Sequence, residues 1–307
     1  MRPSKEKIAR EDLVRFVPAG LDLRCVLALV AGSDDQQKFS PSGSAVLISD
    51  RLAITAWHVL DDYEQEFGLR RELERRIDCG IEAASGFAGH ERWKCNGYSW
   101  GRERTTDPTG TTANNANDPE SRPISDIAIL EVSAESPLSG LRFPRLRLVP
   151  PEVGEVVVAM GFPSASIVRR DDGLLKWDDE ASVSKGKVVE LNHQKRDSTR
   201  AWFPSFAVDF FAPGGMSGGP VLDAGGRVIG IVSSSLEFSD GGSYTTCASV
   251  WPVLAYPLKG PLGFPDAPER FFHDEIVAGL VKADGLVRFA VTRRPGEFTA
   301  SLKERVR

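Results

Sequence analysis

The feature that most constrains this chain is a succession of short β-like segments bounded by turn-forming residues. The clearest cover residues 23–31, 43–48, 52–55, 124–132, 155–160, 182–191, 202–210, 220–222, 228–232 and 244–250. Glycine (29) and proline (20) together make about one residue in six, which suits a fold with many tight turns. No long helical segments alternate with these runs, which argues against a parallel sheet of strand–helix–strand units. The pattern predicts an all-β fold, either an antiparallel barrel or a sandwich.

Two segments interrupt this rhythm and help to divide the chain. Residues 61–77 carry apolar side chains near helical spacing, which predicts a surface helix whose arginines form a solvated face. Residues 101–123 are almost entirely polar and predict a surface loop. We therefore expect four parts, namely a charged lead, a first lobe with an insertion at 61–123, a second lobe and a C-terminal extension. Their predicted bounds are 1–22, 23–150, 151–260 and 261–307.

Composition excludes several classes of function. With 38 basic and 43 acidic side chains, the net charge of −5 argues against a nucleic-acid partner. No apolar run approaches the roughly 20 residues that span a bilayer, and the N-terminal residues do not have the pattern of a secretory signal. The four cysteines lack metal-ligand spacing, which predicts reduced thiols and a cytoplasmic location. A Cys79–Cys95 disulfide or a metal role for these two residues remains the alternative, and we expect no metal or other cofactor.

Three short motifs carry the candidate chemistry. His58 ends the β-like run Ile-Thr-Ala-Trp-His, Asp126 opens an apolar strand, and Ser217 lies in the glycine-rich run Gly-Gly-Met-Ser-Gly-Gly-Pro. A serine hydroxyl is a weak nucleophile unless a base removes its proton, and histidine titrates near neutral pH. A buried carboxylate can hold the imidazole in the required tautomer. The glycines would let the N–H groups of Gly215 and Ser217 point at one developing oxyanion.

In this order the motifs resemble those of the trypsin-like (chymotrypsin-fold) serine proteases, nearest to the bacterial HtrA-like branch without a PDZ domain. The residues around His58, Asp126 and Ser217 are similar to the family's Thr-Ala-Ala-His, Asp-Ile-Ala-Leu-Leu and Asp-Ser-Gly-Gly-Pro. The resemblance covers about residues 23–258 and implies two perpendicular six-stranded antiparallel barrels with the triad between them. It implies a serine endopeptidase that cleaves protein or peptide substrates through an acyl-enzyme. It also implies that Ser233 supports Asp126.

The resemblance further suggests a substrate pocket, formed by Phe211, Ser233, Ser234 and Ser235. An apolar base at Phe211 would not compensate a buried Lys or Arg head group, so we expect cleavage after small or medium uncharged side chains. Met216 replaces the aspartate that pairs with a newly cut N-terminus in zymogen-derived relatives. We therefore expect activity that needs no N-terminal cleavage and is either intrinsic or gated by a regulatory protein partner. The alternative function is a catalytically silent peptide-binding module on the same fold.

Overall fold

The computed structural model describes thirteen stretches of the chain. These are residues 21–33, 38–66, 81–84, 92–99, 123–134, 140–163, 166–169, 175–178, 180–192, 201–237, 242–258, 270–294 and 297–303.

The first lobe is a closed antiparallel barrel of six strands in the order β1-β2-β3-β6-β5-β4. The strands are β1 (Val26–Ser33), β2 (Lys38–Leu47), β3 (Leu52–Thr55), β4 (Ile81–Ala84), β5 (Arg92–Ser99) and β6 (Ala128–Ala134). Alternate residues of a barrel strand face inward, yet Val26 to Val30 of β1 are all fully buried. The outward face of β1 is therefore covered too, and β1 contacts the second lobe at β8 (Val156–Gly161).

A helix follows the third strand of the barrel at once. Helix α1 (Trp57–Glu66) begins two residues after the end of β3, with only Ala56 between them. The helix thus starts at the rim of the barrel, beside the segment that leads into β6, because Thr55 of β3 pairs with Ala128 of β6.

The second lobe is built around six strands that pair in a ring. After the two-residue strand β7 (Leu146–Arg147) and β8, the chain forms β9 (Ser166–Arg169), β10 (Leu175–Asp178), β11 (Ser182–Asn192), β12 (Ser205–Val208), β13 (Pro220–Leu222), β14 (Val228–Glu237) and β15 (Ser243–Ser249). The order β13-β8-β11-β12-β15-β14 curls round so that β13 also pairs with β14. Strands β9 and β10 form a separate hairpin.

The alternation along β8 explains how the second lobe is packed. Val157 and Ala159 belong to the apolar cluster inside the ring, whereas Val158 and Met160 belong to the large cluster shared with the first barrel. Successive side chains of a strand point to opposite faces, so this strand contributes to both cores. One apolar core therefore continues from one lobe into the other.

The C-terminal segment packs against both lobes. It contains β16 (Pro257–Leu258), β17 (Arg270–Phe271), helix α2 (Phe272–Val277), β18 (Ala283–Asp284), β19 (Phe289–Arg294) and β20 (Glu297–Leu302). β18 pairs in parallel with β7, which itself pairs in parallel with β14 of the second lobe. In α2, the buried Glu275 forms an ion pair with Arg51 of the first barrel at 2.6 Å and another with Arg270.

The predicted all-β, barrel-based fold is confirmed. The helix in the insertion begins at Trp57, four residues before the predicted start, and residues 67–80 and 101–122 lie outside the described residues. Strands β4 and β5, which precede β6 along the chain, were not predicted. The four domain bounds stay predictions. Within the described parts of the chain, no helix combines the length and apolar character needed to cross a membrane.

Candidate active site

His58 lies in the first turn of α1, and Asp126 holds it from two directions. The carboxylate accepts a hydrogen bond from the His58 backbone N–H at 2.9 Å through Oδ1 and contacts the imidazole Nδ1 at 2.8 Å through Oδ2. The first N–H groups of a helix have no acceptor within the helix, so Asp126 also satisfies the start of α1. The register of β3 and β6 favours the contact, because it brings the residues after Thr55 beside those before Ala128.

The charges around His58 favour its protonated form. Burial of the ring opposes protonation, but the charge and hydrogen bond of Asp126, together with nearby carboxylates of α1, outweigh it, so the pKa of His58 lies above its ordinary value. Asp62 and Asp61 act in the same direction from the next turn of α1. These two residues were not among the candidates from the sequence, although His58 and Asp62 are spaced i, i+4 along a helix.

Asp126 is buried, with 3% of its surface exposed, and it receives a third hydrogen bond from the hydroxyl of Ser233. Ser233 also meets Ser217, whose Oγ donates to the Ser233 carbonyl oxygen at 3.4 Å. Among the described residues Ser217 makes no side-chain hydrogen bond to His58. The structure thus brings the three candidate residues into one cluster, with Ser233 linking Asp126 to Ser217.

The loop that carries Ser217 is fixed by backbone contacts that require glycine. Gly218 has φ +84° and donates its N–H to the Val232 carbonyl of β14 at 2.9 Å. A Cβ atom on Gly218 would lie 2.1 Å from the carbonyl oxygen of Ser44. The Ser217 carbonyl in turn accepts the Ser44 N–H of β2 at 2.7 Å. The nucleophile candidate is therefore clamped between a strand of each lobe.

The turn before Ser217 has the geometry of a type II turn. Met216 N–H donates to the Pro213 carbonyl at 3.1 Å, and Gly215, in the third position, has φ +88°. The N–H groups of Gly215 and Ser217 have no hydrogen-bond acceptor among the described residues. Two backbone donors without an acceptor, one on Ser217 itself and one two residues before it, suit the binding of an anionic oxygen.

Ser44 holds this turn in place and was missed in the sequence. It is fully buried, its Oγ donates to the Gly215 carbonyl at 2.9 Å, and the same oxygen accepts the Phe162 N–H at 2.8 Å. No local pattern distinguishes Ser44 from other serines, because both contacts are made with the other lobe. Met216 is also fully buried and packs in the core of the second lobe. Its thioether side chain carries no charge.

The four residues expected to form the substrate pocket lie on two segments beside Ser217. Ser233, Ser234 and Ser235 follow one another on β14, and Phe211 precedes the serine loop. The Phe211 side chain is 36% exposed, and its carbonyl accepts a hydrogen bond from Ser184. Its place at the base of the pocket stays a prediction.

The described residues hold no group of three or more His, Cys, Asp or Glu side chains that could bind a metal ion. Cys25, Cys95 and Cys247 are buried, and burial raises the pKa of the Cys247 thiol. Cys79 lies outside the described residues, so the alternative of a Cys79–Cys95 link stays open.

Comparison with known proteins gives one family match and distant structural neighbours. The family model for the trypsin-like peptidase domain matches residues 43–231. The active form of the Rv3671c protease from M. tuberculosis aligns at 15% identity with a TM-score of 0.42, over 81% of this chain and 84% of that one. The HtrA-type protease AlgW, solved with a tripeptide, aligns at 18% identity with a TM-score of 0.44, over 74% of this chain and 57% of that one. The chain thus spans little more than half of AlgW. No curated protein sequence matches it.

Proposed function

Because this chain belongs to the trypsin-like peptidase family, we propose that it is a serine endopeptidase with Ser217 as nucleophile, His58 as general base and Asp126 as the residue that orients His58. The observation that carries the proposal is the continuous hydrogen-bonded cluster around Ser233. In it one carboxylate oxygen of Asp126 contacts both His58 Nδ1 and Ser233 Oγ, while the Ser233 carbonyl receives Ser217 Oγ.

The chemistry follows from the groups in the cluster. As Ser217 Oγ attacks the peptide carbonyl carbon, the neutral His58 Nε2 takes its proton, and the carbonyl oxygen becomes an oxyanion bound by the Gly215 and Ser217 N–H groups. His58 then gives the proton to the leaving nitrogen as the C–N bond breaks, which leaves an ester on Ser217. A water molecule, deprotonated by His58, hydrolyses that ester and restores the hydroxyl. Asp126 orients the imidazole and stabilises the imidazolium in both steps.

The substrate chain has an available partner in β14. Residues up to Ile231 of β14 pair with β13, but no described strand pairs with the same edge from Ser233 onward. An extended peptide can add to such an edge by main-chain hydrogen bonds, which would carry its carbonyl carbon toward Ser217.

One observation favours the second candidate, a peptide-binding module without turnover. In the structure Ser217 Oγ is hydrogen-bonded to the Ser233 carbonyl and not to His58. If that contact persisted with substrate present, Ser217 would keep its proton. The apo geometry does not exclude catalysis, since catalytic hydrogen bonds often form only with substrate bound.

A fluorophosphonate probe separates the two functions. We expect the full-length chain to be labelled at Ser217, as located by peptide mass mapping, and Ser217→Ala to lose the label. Ser243→Ala, a half-buried serine on β15, serves as the matched control and should label like the parent. Labelling should accompany hydrolysis of a protein substrate such as casein. A folded parent chain that binds peptide but neither labels nor cleaves would favour the silent module.

The cytoplasmic location and the regulatory partner remain proposals from the sequence. The fully buried, uncharged Met216 supports activity without N-terminal cleavage, because it offers no partner for a freed amine. Intact-mass analysis of the labelled protein tests this point: label on the uncut chain is expected, and label only on a shortened chain would contradict it.

A further inference from the structure

We propose that the hairpin of β19 and β20 is the interface of a symmetric dimer, in which the open edge of β20 pairs in antiparallel register with β20 of a second copy of this chain. The hairpin lies in the C-terminal segment and contains no residue of the proposed catalytic cluster. The proposal therefore goes beyond the proposed function and does not depend on Ser217 being a nucleophile.

The hairpin is anchored to the rest of the chain. Phe298 of β20 stacks on Phe271 of β17, with ring centroids 4.6 Å apart, and Phe289 of β19 packs against Trp251 at 5.7 Å. Arg293 of β19 forms an ion pair with helix α2 at 3.2 Å. A strand edge that is held in place before association loses less conformational freedom when a partner binds.

The outer edge of β20 has no strand partner. β19 and β20 form a two-stranded sheet, and no other strand in the described part of the chain pairs with either of them. The Lys303 N–H donates to the Arg288 carbonyl, on the β19 side, at 2.8 Å. Because successive residues of an antiparallel strand direct their backbone groups to alternate edges, those of Phe298, Ala300 and Leu302 point away from β19. Such a row of donors and acceptors is a template for pairing with another strand.

The sequence of β20 and the next residue is complementary to itself in antiparallel register. With Ala300 on the two-fold axis, each residue meets one of similar or complementary type on the second copy, namely Phe298 with Leu302, Thr299 with Ser301, and Glu297 with Lys303. This register also sets the outward-pointing backbone groups opposite one another, so that all of them are paired. Apolar residues then meet apolar residues, and an acid meets a base at both ends of the interface, which stabilises a strand pair.

The opposite edge of the hairpin lacks this complementarity. Arg293 and Arg294 end β19, and Arg288 immediately precedes it. Pairing of β19 with itself about Val291 would place Arg288 opposite Arg294 of the second copy at both ends, and like charges directly opposite each other are destabilising. The distribution of charge therefore selects β20 as the pairing edge.

The test is sedimentation velocity of the full-length chain over a range of concentrations. We expect a monomer–dimer equilibrium with a dissociation constant in the micromolar range, because a single strand pair is a small interface. Ala300→Pro removes the N–H on the two-fold axis and should raise the dissociation constant at least about tenfold, since two hydrogen bonds are lost. Val291→Pro is the matched control, because Val291 lies directly opposite Ala300 in the hairpin and directs its N–H to the other edge. That variant should dimerise like the parent.

A charge swap tests the register independently. Lys303→Glu would place an acid opposite Glu297 at both ends of the interface and should raise the dissociation constant about 5- to 30-fold. Glu297→Lys should have a similar effect, since it would place a base opposite Lys303. The double variant restores opposite charges and should bring the dissociation constant back to within about threefold of that of the parent.

Several results would overturn the proposal. They are a chain that stays monomeric at every concentration, an assembly larger than a dimer, a dimer that Ala300→Pro leaves unchanged, and a dimer that Val291→Pro dissociates. Circular dichroism establishes whether each variant folds. If a proline variant does not fold, the charge swap decides, and a double variant that dimerises no better than the single variants would refute the register.

Discussion

Replacing Ser44 by alanine should damage both the stability of the protein and the oxyanion-binding turn. The Ser44 hydroxyl joins the two lobes, since it accepts the Phe162 N–H at 2.8 Å and donates to the Gly215 carbonyl at 2.9 Å. Alanine preserves the backbone of β2 and removes only these two bonds. The Gly215 carbonyl would then lose its hydrogen bond to the other lobe, although the Met216–Pro213 bond within the turn and the backbone bonds of residues 216–218 would remain.

The structure sets the size of each effect. Phe162 is buried, so its N–H loses its acceptor without gaining water, at a cost of about 1–3 kcal/mol. Gly215 is half-buried, and water can replace part of its lost bond, which adds up to about 1 kcal/mol. Loss of one oxyanion donor costs about 10²–10³ in kcat. Since Ser44→Ala only loosens that donor, we expect kcat to fall about 10- to 100-fold with a smaller change in KM.

The control is Ser49→Ala, which removes another buried serine hydroxyl of the first barrel. Ser49 Oγ accepts the Leu52 N–H at 3.1 Å, in the β2–β3 turn. Urea unfolding should show a loss of stability in both variants, whereas peptide hydrolysis should fall only in Ser44→Ala. If both variants kept the same kcat, or if Ser44→Ala unfolded like the parent, the role given to Ser44 would be wrong.

Three further predictions concern the pKa of His58, the backbone at Gly218 and the buried carboxylate of Glu275. In the proposed mechanism catalysis needs neutral His58, so we expect activity to rise with pH through the His58 pKa, which Asp62 helps to raise. Asp62→Asn should therefore move the acid limb of the kcat/KM profile to lower pH, most clearly at low salt. An unmoved limb would deny Asp62 this role. Gly218→Ala should lower the free energy of unfolding by more than about 2 kcal/mol, because φ +84° strains an L-residue and the new Cβ would lie 2.1 Å from the Ser44 carbonyl oxygen. Denaturant unfolding measures this loss, and a stability close to that of the parent would refute the prediction. Glu275→Gln should lower the free energy of unfolding by about 1.5–3 kcal/mol, since a neutral amide at this position could not pair with the charges of Arg51 and Arg270. In denaturant unfolding, a midpoint equal to that of the parent would show that the buried carboxylate does not stabilise the protein.

The triad candidates could be predicted because the signal for each is local. A histidine three residues after an apolar strand and an aspartate two residues before another lie close together when the two strands pair in antiparallel register. The glycines around Ser217 also form a local sequence pattern. The structure explains this pattern, because a Cβ atom on Gly218 or Gly219 would clash with neighbouring backbone atoms. The all-β fold followed in the same way from short apolar runs and turn residues.

What the sequence could not reveal depends on contacts between distant segments. β4 (Ile81–Ala84) is only four residues long and β5 (Arg92–Ser99) is rich in polar residues, so neither gives a clear strand pattern, and their pairing with β1 and β6 makes them strands. The two-residue strand β18 exists because β7 offers it an edge. Ser44 has ordinary sequence surroundings, and its proposed role arises from a donor and an acceptor on other segments, the Phe162 N–H and the Gly215 carbonyl.

Ser233 shows how one irregularity in a strand can organise the whole candidate site. Val232 pairs with Cys247 and Ser234 with Thr246, so Ser233 is an extra residue, a bulge, in β14. Because a bulged residue is released from the regular ladder, its hydroxyl can reach Asp126 while its carbonyl meets Ser217. The same bulge sets the register that places Ser235 opposite Thr245. Without it, every later side chain of β14 would turn to the other face of the sheet, and the support for Asp126 would be lost.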